Sequence, residues 1–132
     1  MIEKQIANDS DIVFGSRYIK NGGIHGWNLK RKLISRVGNL ITTQTLGAYC
    51  SDFTNSFRLY KRSAFEELLK VVESHGFGFQ MEIMVRAIWK NMKIDEIPIV
   101  FVDRIFGASK LGSNEIYLFA KGIMKLFCAE RR

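Results

Sequence analysis

The segment MIEKQIANDSDIVFGSR, residues 1 to 17, decides the fold class, because it places the end of a helix directly before a short apolar strand. The strand stops at Gly15, and a glycine-rich loop follows it. An amphipathic helix is then predicted over about residues 28–46. A domain that begins on the end of a helix is unusual. We therefore predict the second half of an α/β domain that lacks partner strands at its N-terminus.

The rest of the chain continues to alternate strands and helices. Ser63 and Glu66 have the spacing of a capping box, which predicts the start of a helix. Pro98 cannot donate to a strand ladder, so we expect it at a sheet edge or at the end of a strand. The predicted elements are strands over residues 57–61 and 94–102 and helices over residues 64–74, 79–91 and about 113–128.

Two of these helices have an apolar face at helical spacing. The face of the helix over residues 79–91 is expected to enter the core. The face of the C-terminal helix is expected to contact either a membrane or a protein partner. The two faces consist of Met81, Met84, Val85 and Ile88, and of Ile116, Phe119, Ala120, Ile123 and Phe127.

Length and composition indicate one ordered globular unit. The chain has 132 residues, of which 47% are hydrophobic and 25% are charged, so we predict a single partial domain over residues 1–132. Cys50 and Cys128 are too few and too far apart for a disulfide framework, and we expect a reducing compartment. No run of about 18 apolar residues exists that could cross a bilayer.

The positive charge of the chain is concentrated in one segment. The formal net charge is +7, and neither Asp nor Glu occurs between Ile12 and Ser51. Such a concentration of positive charge favours phosphates, nucleic acid or an anionic membrane surface as partners. The cations in this segment are Arg17, Lys20, Lys30, Arg31, Lys32 and Arg36.

A helical projection of residues 28–46 separates a polar stripe from an aliphatic arc of about 140°. Arg31, Ser35 and Asn39 form the polar stripe at spacings of four residues. Two interpretations remain open. The helix either packs its aliphatic arc in the core and leaves a solvated basic face, or it presents Arg31 and Ser35 as donors to a phosphate. The aliphatic arc consists of Leu29, Leu33, Ile34, Val37, Leu40 and Ile41.

Two further patterns are weak by themselves. In VDRIFGASKLG, residues 102 to 112, Arg104 and Lys110 lie among glycines and could hold a diphosphate, although an ordinary surface loop explains the bare pattern better. Glu82 is either a catalytic carboxylate or an acid favoured near a helix start by the helix dipole. The sequence has no Ser/His or Cys/His arrangement, no Walker loop and no Rossmann fingerprint.

Five segments, taken in order, resemble the dolichol-phosphate mannosyltransferases of glycosyltransferase family 2. The resemblance runs from about Asp11 to Phe127 and is most specific in GWNLKRKLISR and VDRIFGASKLG. It implies the C-terminal portion of a GT-A domain, the nucleotide-diphospho-sugar transferase fold, with a mixed sheet flanked by helices and with the N-terminal nucleotide-binding half absent. The segments are DIVFGSRY, GGIHGWNLKRKLISRVGN, SDFTNSFRLYKR, GFGFQMEIMVRA and EIPIVFVDRIFGASKLGSNEI.

The same resemblance implies roles for particular residues. Arg17 is implied to be catalytic, reaching phosphate oxygens between donor and acceptor, while Arg31 and Ser35 are implied to hold the acceptor phosphate. A magnesium or manganese ion is implied, with its ligands in the absent half and none in this chain. The sequence differs from the family at Asn55, where glycine is commoner. The residues implied to bind the donor diphosphate are Arg17, Val102, Arg104 and Lys110.

The implied reaction is the transfer of mannose from GDP-mannose to dolichyl phosphate with inversion, which supplies protein glycosylation and GPI-anchor synthesis. The implied location is the cytosolic face of the endoplasmic reticulum membrane, where small membrane subunits anchor a peripheral enzyme, and no nucleic acid is expected. A phosphate monoester has a second pKa of about 6 and is largely a dianion at neutral pH, so no general base is required. The alternatives are a polyprenyl-phosphate glucosyltransferase that uses UDP-glucose, and a non-catalytic module that binds anionic lipid or RNA.

Overall fold

The structure, a computed structural model, describes residues 1–103 and 112–130. It confirms an α/β fold in which helices flank a mixed sheet. The helices are α1 (Ile2–Asn8), α2 (Leu29–Leu46), α3 (Arg62–Leu69), α4 (Phe77–Trp89) and α5 (Ser113–Glu130), and the strands are β1 (Ile12–Ser16), β2 (Gly23–His25), β3 (Arg58–Tyr60), β4 (Ile94–Pro98) and β5 (Val100–Val102).

The strands form two small sheets that are joined at Ile99. In the larger sheet, β1 lies between β3, to which it is antiparallel, and β4, to which it is parallel. In the smaller sheet, β2 and β5 are parallel. The backbone of Ile99 donates to the carbonyl of Ser16 at 2.9 Å and accepts from the amide of Gly23 at 3.0 Å. Ile99 therefore ties the end of β1 to the start of β2.

The single strand that was predicted over residues 94–102 is wrong, because the segment divides into β4 and β5. Pro98 has no N–H for a ladder, and the next residue, Ile99, bonds both to Ser16 of β1 and to Gly23 of β2 before β5 begins. The prediction that Pro98 lies at a strand end is confirmed, since it is the last residue of β4. Strand β2 was not predicted, because three residues that include a glycine carry no alternating pattern.

The core lies between β1 and helices α4 and α5. Every residue of β1 is buried. The predicted apolar side of α4 is confirmed at Met81, Met84 and Val85, which have no exposed surface. The apolar face of α5, which was expected to contact a membrane or a partner, lies partly in the core instead. Ile123 is buried, whereas Ile116 is exposed. Burial of each such side chain stabilises the fold by about 1.5–3 kcal/mol.

The capping box that was predicted at Ser63 and Glu66 is wrong. Helix α3 begins at Arg62, and no side chain caps its first turn. Glu66 accepts instead from Arg62 Nε at 2.8 Å on the exposed side of the helix. The helix ends at Leu69 rather than near residue 74, because the backbone amides of Glu73 and Ser74 donate to a carboxylate of α4.

That carboxylate belongs to Glu82, whose side chain is buried. It accepts from the amide of Ser74 at 2.9 Å and from Arg86 Nε at 2.6 Å. Burial acts to raise the pKa of Glu82, but hydrogen bonds from Ser74, Arg86 and Glu73 outweigh it and lower the pKa below its ordinary value. Glu82 therefore fixes the connection between α3 and α4, and the geometry gives it a structural role rather than a catalytic one.

The interpretation of α2 as a helix that packs its aliphatic arc in the core is wrong, because the polar side of the helix faces inward. Leu29 is 83% exposed and Leu40 is 60% exposed, whereas Ser35 and Asn39 are buried. The polar side faces inward because its side chains have hydrogen-bond partners there. Asn28 Oδ1 caps the helix by accepting from the amide of Arg31 at 2.8 Å. Among the described residues, no helix is long and apolar enough to cross a membrane.

Candidate functional site

Arg17 lies directly after β1 and is almost completely buried. Its Nε donates to Asp52 Oδ2 and its Nη2 donates to Asp52 Oδ1, both at 2.7 Å. Nη2 also donates to Thr54 Oγ1 at 2.6 Å. The guanidinium carbon lies 5.0 Å from the centre of the Trp27 ring. A bidentate pair and an aromatic neighbour hold the guanidinium in one orientation.

Arg31 reaches the same region from the first turn of α2. Its Nη1 donates to Asp103 Oδ2 at 2.9 Å, and its guanidinium carbon lies 4.0 Å from the centre of the Trp27 ring. Phe101 of β5 makes an edge contact with the same indole at 5.6 Å. Trp27 thus lies between two arginines and one phenyl ring. Both cations are within cation–π distance of it.

Ser35 lies one helical turn after Arg31 and is buried. Its Oγ accepts from the hydroxyl of Tyr18 at 2.7 Å and lies 3.4 Å from Thr54 Oγ1. Because Ser35 accepts from Tyr18 and Thr54 Oγ1 donates to Asp52, the Ser35 hydroxyl can donate its own proton, either over 3.4 Å to Thr54 or to a ligand in its place. Tyr18 immediately follows Arg17, so one short segment positions both a cation and a hydroxyl of the site.

Two buried asparagines hold the loop that carries Asp52 and Thr54. Asn39 Oδ1 of α2 accepts from the amide of Phe53 at 2.9 Å. Asn55 Nδ2 donates to the carbonyl of Gly15, and Asn55 Oδ1 accepts from the amide of Phe57 at 3.2 Å. The φ angle of Asn55 is not positive, so this position does not require a glycine. The departure from the family at Asn55 is therefore accommodated by hydrogen bonds to neighbouring backbone.

These side chains open into one groove of about 850 Å³ between α2 and α5. Its polar part contains Arg17, Arg31 and Ser35. The groove then continues along α2 as far as Thr45, which lies about 15 Å from Ser35 along the helix axis. The apolar wall consists of Leu33, Ile34, Val37 and Ile41 of α2 and of Ile116, Phe119, Ala120, Ile123 and Met124 of α5.

Within residues 1–103 and 112–130, two donors in the groove, Arg31 Nε and Trp27 Nε1, and one acceptor, Glu115 Oε2, are buried without a hydrogen-bond partner. Unpartnered buried donors are rare in folded proteins, because each one costs the free energy of its lost hydration. All three residues line the groove. Among the described residues of the groove, the two unpartnered donors outnumber the one unpartnered acceptor, and anionic oxygens of a ligand beside Arg31 and Trp27 would satisfy these donors.

The structure brings together three of the residues that the resemblance selected. Arg17, Arg31 and Ser35 all line the groove. Val102 does not line it, since its side chain is 68% exposed at the end of β5. Arg104 and Lys110 lie outside the described residues. The donor-binding roles of these last three residues stay predictions.

Several residues of the site were missed in the sequence. In the sequence, Asp52 and Thr54 look like ordinary polar turn residues before a strand, and neither Tyr18 nor Trp27 belongs to a recognisable motif. Their roles depend on contacts between segments that are 17 to 37 residues apart. One feature of the sequence could have indicated a site residue: Asp52 is the first acidic residue after the long cationic segment, and it could have been predicted to pair with a cation.

Within residues 1–103 and 112–130, no three His, Cys, Asp or Glu side chains are grouped so that they could hold a metal ion. The carboxylates nearest the arginines, Asp52 and Asp103, are each engaged in an ion pair. The described residues therefore do not fit a magnesium or manganese site.

Two curated bacterial proteins are similar to this chain. The polyprenol monophosphomannose synthase of Mycolicibacterium smegmatis is 33% identical over 108 residues, which are 81% of this chain and 41% of that protein. The undecaprenyl-phosphate mannosyltransferase of Micrococcus luteus is 36% identical over 106 residues, which are 80% of this chain and 44% of that protein. No protein-family model matches the chain. The chain thus spans less than half the length of the curated relatives that it matches, and by these similarities it belongs, like them, to glycosyltransferase family 2.

Proposed function

We propose that this chain forms the acceptor-binding side of an enzyme that transfers mannose from GDP-mannose to a polyprenyl phosphate with inversion. The observation that carries the proposal is the groove between α2 and α5. Two arginines and a serine lie in it beside a long aliphatic wall. A ligand that is anionic at one end and apolar over the rest of its length matches both parts.

The acceptor phosphate would be bound by Arg17, Arg31 and Ser35. The two guanidinium groups offset the charge of the dianion, and Ser35 donates its hydroxyl proton in a hydrogen bond. The isoprene units would lie along the wall of α2 and α5. Arg31 Nε, which is buried without a partner, would then gain an acceptor.

In the proposed reaction, an oxygen of the acceptor phosphate attacks C1 of the mannose. The bond between C1 and the donor diphosphate oxygen breaks, and GDP leaves with the electron pair. One displacement inverts the configuration at C1. Because the acceptor is already a dianion at neutral pH, no residue of this chain has to remove a proton. The contribution of Arg17 and Arg31 is to reduce the repulsion between the acceptor and the donor diphosphate.

A membrane surface is the proposed location of this groove. Leu29, Leu33 and Leu40 form an exposed apolar row on α2, and the exposed cations Lys30 and Arg36 lie on the same helix. Basic residues near an anionic leaflet contribute about 1 kcal/mol each, and an apolar helix face can enter the headgroup region. A long polyprenyl phosphate could then reach the groove without leaving the bilayer.

The more specific expectations stay predictions. The two relatives described above are bacterial, and one is named for undecaprenyl phosphate, so dolichyl phosphate is only one member of the proposed acceptor class. The endoplasmic reticulum location, the GPI-anchor role, the small anchoring subunits and the magnesium or manganese ion rest on the resemblance alone. UDP-glucose as donor is the remaining alternative within this enzyme class.

The RNA-binding alternative loses support in the structure. Binding of single-stranded RNA commonly depends on aromatic side chains that are free to stack on bases. Trp27, the aromatic residue nearest the cations of α2, is instead occupied by Arg31 and by the edge contact with Phe101.

The test uses farnesyl phosphate as a short acceptor, with farnesol and inorganic phosphate as controls. We expect farnesyl phosphate to bind at least about tenfold more tightly than either control, because only it engages both the arginines and the apolar wall. Equal binding of farnesol would contradict the acceptor site. Transfer of labelled mannose to farnesyl phosphate, in the chain extended to the length of its relatives and with excess GDP or UDP as competitor, tests the reaction and the donor.

A further inference from the structure

We infer that Asp52 is a positioning residue that fixes Arg17 so that one remaining edge of its guanidinium binds the acceptor phosphate. This inference rests on the proposed function and adds to it a residue that carries a negative charge inside an anion site. The side chain of Asp52 has no exposed surface. Both of its oxygens accept from Arg17, at 2.7 Å each.

The hydrogen bonds of Arg17 leave one nitrogen available. A guanidinium has five N–H groups: one on Nε, two on Nη1 and two on Nη2. Asp52 takes the edge formed by Nε and Nη2, and Thr54 Oγ1 takes a second bond from Nη2. Nη1 makes no hydrogen bond to any residue within 1–103 and 112–130. Because Arg17 lines the groove, Nη1 is the nitrogen that can serve a phosphate oxygen.

The carboxylate is itself fixed by the backbone around it. Asp52 Oδ2 accepts from the amide of Arg17 at 3.3 Å, and Asp52 Oδ1 accepts from the amide of Thr54 at 3.3 Å. On the next residue, Phe53, the amide donates to Asn39 Oδ1 and the carbonyl accepts from Arg58 Nη2. Asp52 is thus held by backbone amides of Arg17 and Thr54, and its loop is held by α2 through Phe53. These contacts do not involve the Arg17 guanidinium, so a fixed carboxylate can set where that guanidinium lies.

Because Asp52 is negatively charged, the direction in which Asp52→Asn changes the affinity for a phosphate tests the inference. A buried carboxylate beside a phosphate site repels the phosphate, so removing it should strengthen binding if charge alone mattered. If Asp52 instead positions Arg17, removing it should weaken binding as long as Arg17 is present. Without Arg17, removal of the unpaired carboxylate should strengthen binding. The sign of the effect of Asp52→Asn therefore depends on residue 17.

The experiment is a double-mutant cycle on farnesyl phosphate binding, monitored by Trp27 fluorescence in a Trp89→Phe background. We expect Asp52→Asn to weaken binding about tenfold when Arg17 is present and to strengthen it or leave it unchanged in Arg17→Ala, a coupling within the range seen for contacting residues. The matched control is Glu82→Gln, which removes another buried, arginine-paired carboxylate that does not line the groove. The control should leave the affinity unchanged. Equal effects of Asp52→Asn in both backgrounds would overturn the inference.

Two further measurements test the inference if one of these variants does not fold. Arg17→Lys retains the charge but cannot give Asp52 a bidentate contact and also reach the phosphate, so it should bind as weakly as Arg17→Ala. Wild-type affinity in Arg17→Lys would overturn the inference without any change at Asp52. Nitrogen NMR of arginine side chains needs no ligand. The slowly exchanging Nε–H of Arg17 should be lost in Asp52→Asn while that of Arg86 persists.

The two proposals can fail separately. Absence of farnesyl phosphate binding in the unsubstituted chain would refute the acceptor site of the proposed function. Persistence of the protected Arg17 Nε–H in Asp52→Asn would refute the positioning role, whether or not the ligand binds.

Discussion

Arg31 and Asp103 form an ion pair at 2.9 Å although 72 residues separate them in the sequence. The pair joins the first turn of α2 to the residue that follows β5, and the guanidinium carbon of Arg31 lies 4.0 Å from the centre of the Trp27 ring. Arg31 is therefore held in the groove from two sides before any ligand arrives. A residue held in this way loses little conformational entropy when it binds a phosphate.

The first prediction concerns Arg31→Lys. A lysine ammonium cannot contact Asp103, stack on Trp27 and donate to a phosphate at the same time, because it lacks the planar fork of arginine. We expect the affinity for farnesyl phosphate to fall about tenfold, a loss typical of one charge-assisted hydrogen bond. The matched control is Lys30→Ala, which removes an exposed neighbouring cation that does not line the groove. If Lys30→Ala lost as much affinity, the binding would depend on the positive charge of this segment and not on the contacts of Arg31.

The second prediction concerns Tyr18→Phe. Its hydroxyl donates to Ser35 Oγ at 2.7 Å, so its loss should let the Ser35 hydroxyl turn away from the groove. We expect acceptor affinity to fall about threefold to tenfold, the value of one hydrogen bond. In a Ser35→Ala background, Tyr18→Phe should have no further effect. An additive loss would assign Tyr18 a role independent of Ser35. Tyr117→Phe, on the exposed side of α5, serves as the control.

Strong local periodicity made much of the fold predictable. Helices α2, α4 and α5 and strand β1 lie where the spacing of apolar residues placed them, within a few residues. The division between β4 and β5 was not predictable, because it depends on Ile99 bonding to two different strands. Helix α3 ended early for a similar reason, since Glu82 binds the amides that would have continued the turn.

The orientation of α2 shows where a sequence pattern is insufficient. The helical projection correctly separated Arg31 and Ser35 from the aliphatic arc, but it could not decide which side faced the protein. In an ordinary globular domain the aliphatic side would be buried. Here the polar side is inward because Tyr18 and Phe53 supply partners for Ser35 and Asn39. Only the resemblance to a family favoured the phosphate-binding interpretation.

The third prediction concerns acid stability and Glu82. Because the folded state lowers the pKa of Glu82, its contribution is complete above the ordinary pKa of 4.5 and is lost as the pH falls toward the lowered value. Glu82→Gln should reduce the free energy of unfolding at pH 7 by about 2 kcal/mol, as expected for hydrogen bonds to a charged group. Urea denaturation at pH 7 and at lower pH should show this difference shrinking in acid. In Glu67→Gln, which alters an exposed ion pair, the change should stay within about 0.5 kcal/mol.

The fourth prediction concerns the two thiols. Burial raises the pKa of Cys50 to about 12, so almost no reactive thiolate exists there near neutral pH. Cys128 is exposed on α5. A maleimide reagent should therefore modify one cysteine in the folded protein and both in denaturant, with mass spectrometry locating the first label at Cys128. Rapid labelling of Cys50 under native conditions would show that the core around it opens.

The fifth prediction concerns the exposed row on α2. Leu29 and Leu40 do not line the groove, so substituting them should weaken membrane binding and leave acceptor binding unchanged. Each change to Glu adds a charge where the bilayer would take an apolar side chain, and it should reduce binding to vesicles of anionic phospholipid about tenfold or more. Leu69→Glu is the matched control, because Leu69 is 48% exposed on α3 and belongs to a different helix. Co-sedimentation with vesicles gives the affinities, and farnesyl phosphate binding in solution should stay unchanged in all three variants. If Leu69→Glu weakened vesicle binding as much as Leu40→Glu, the loss would reflect net charge alone, and α2 would not be the membrane-facing helix.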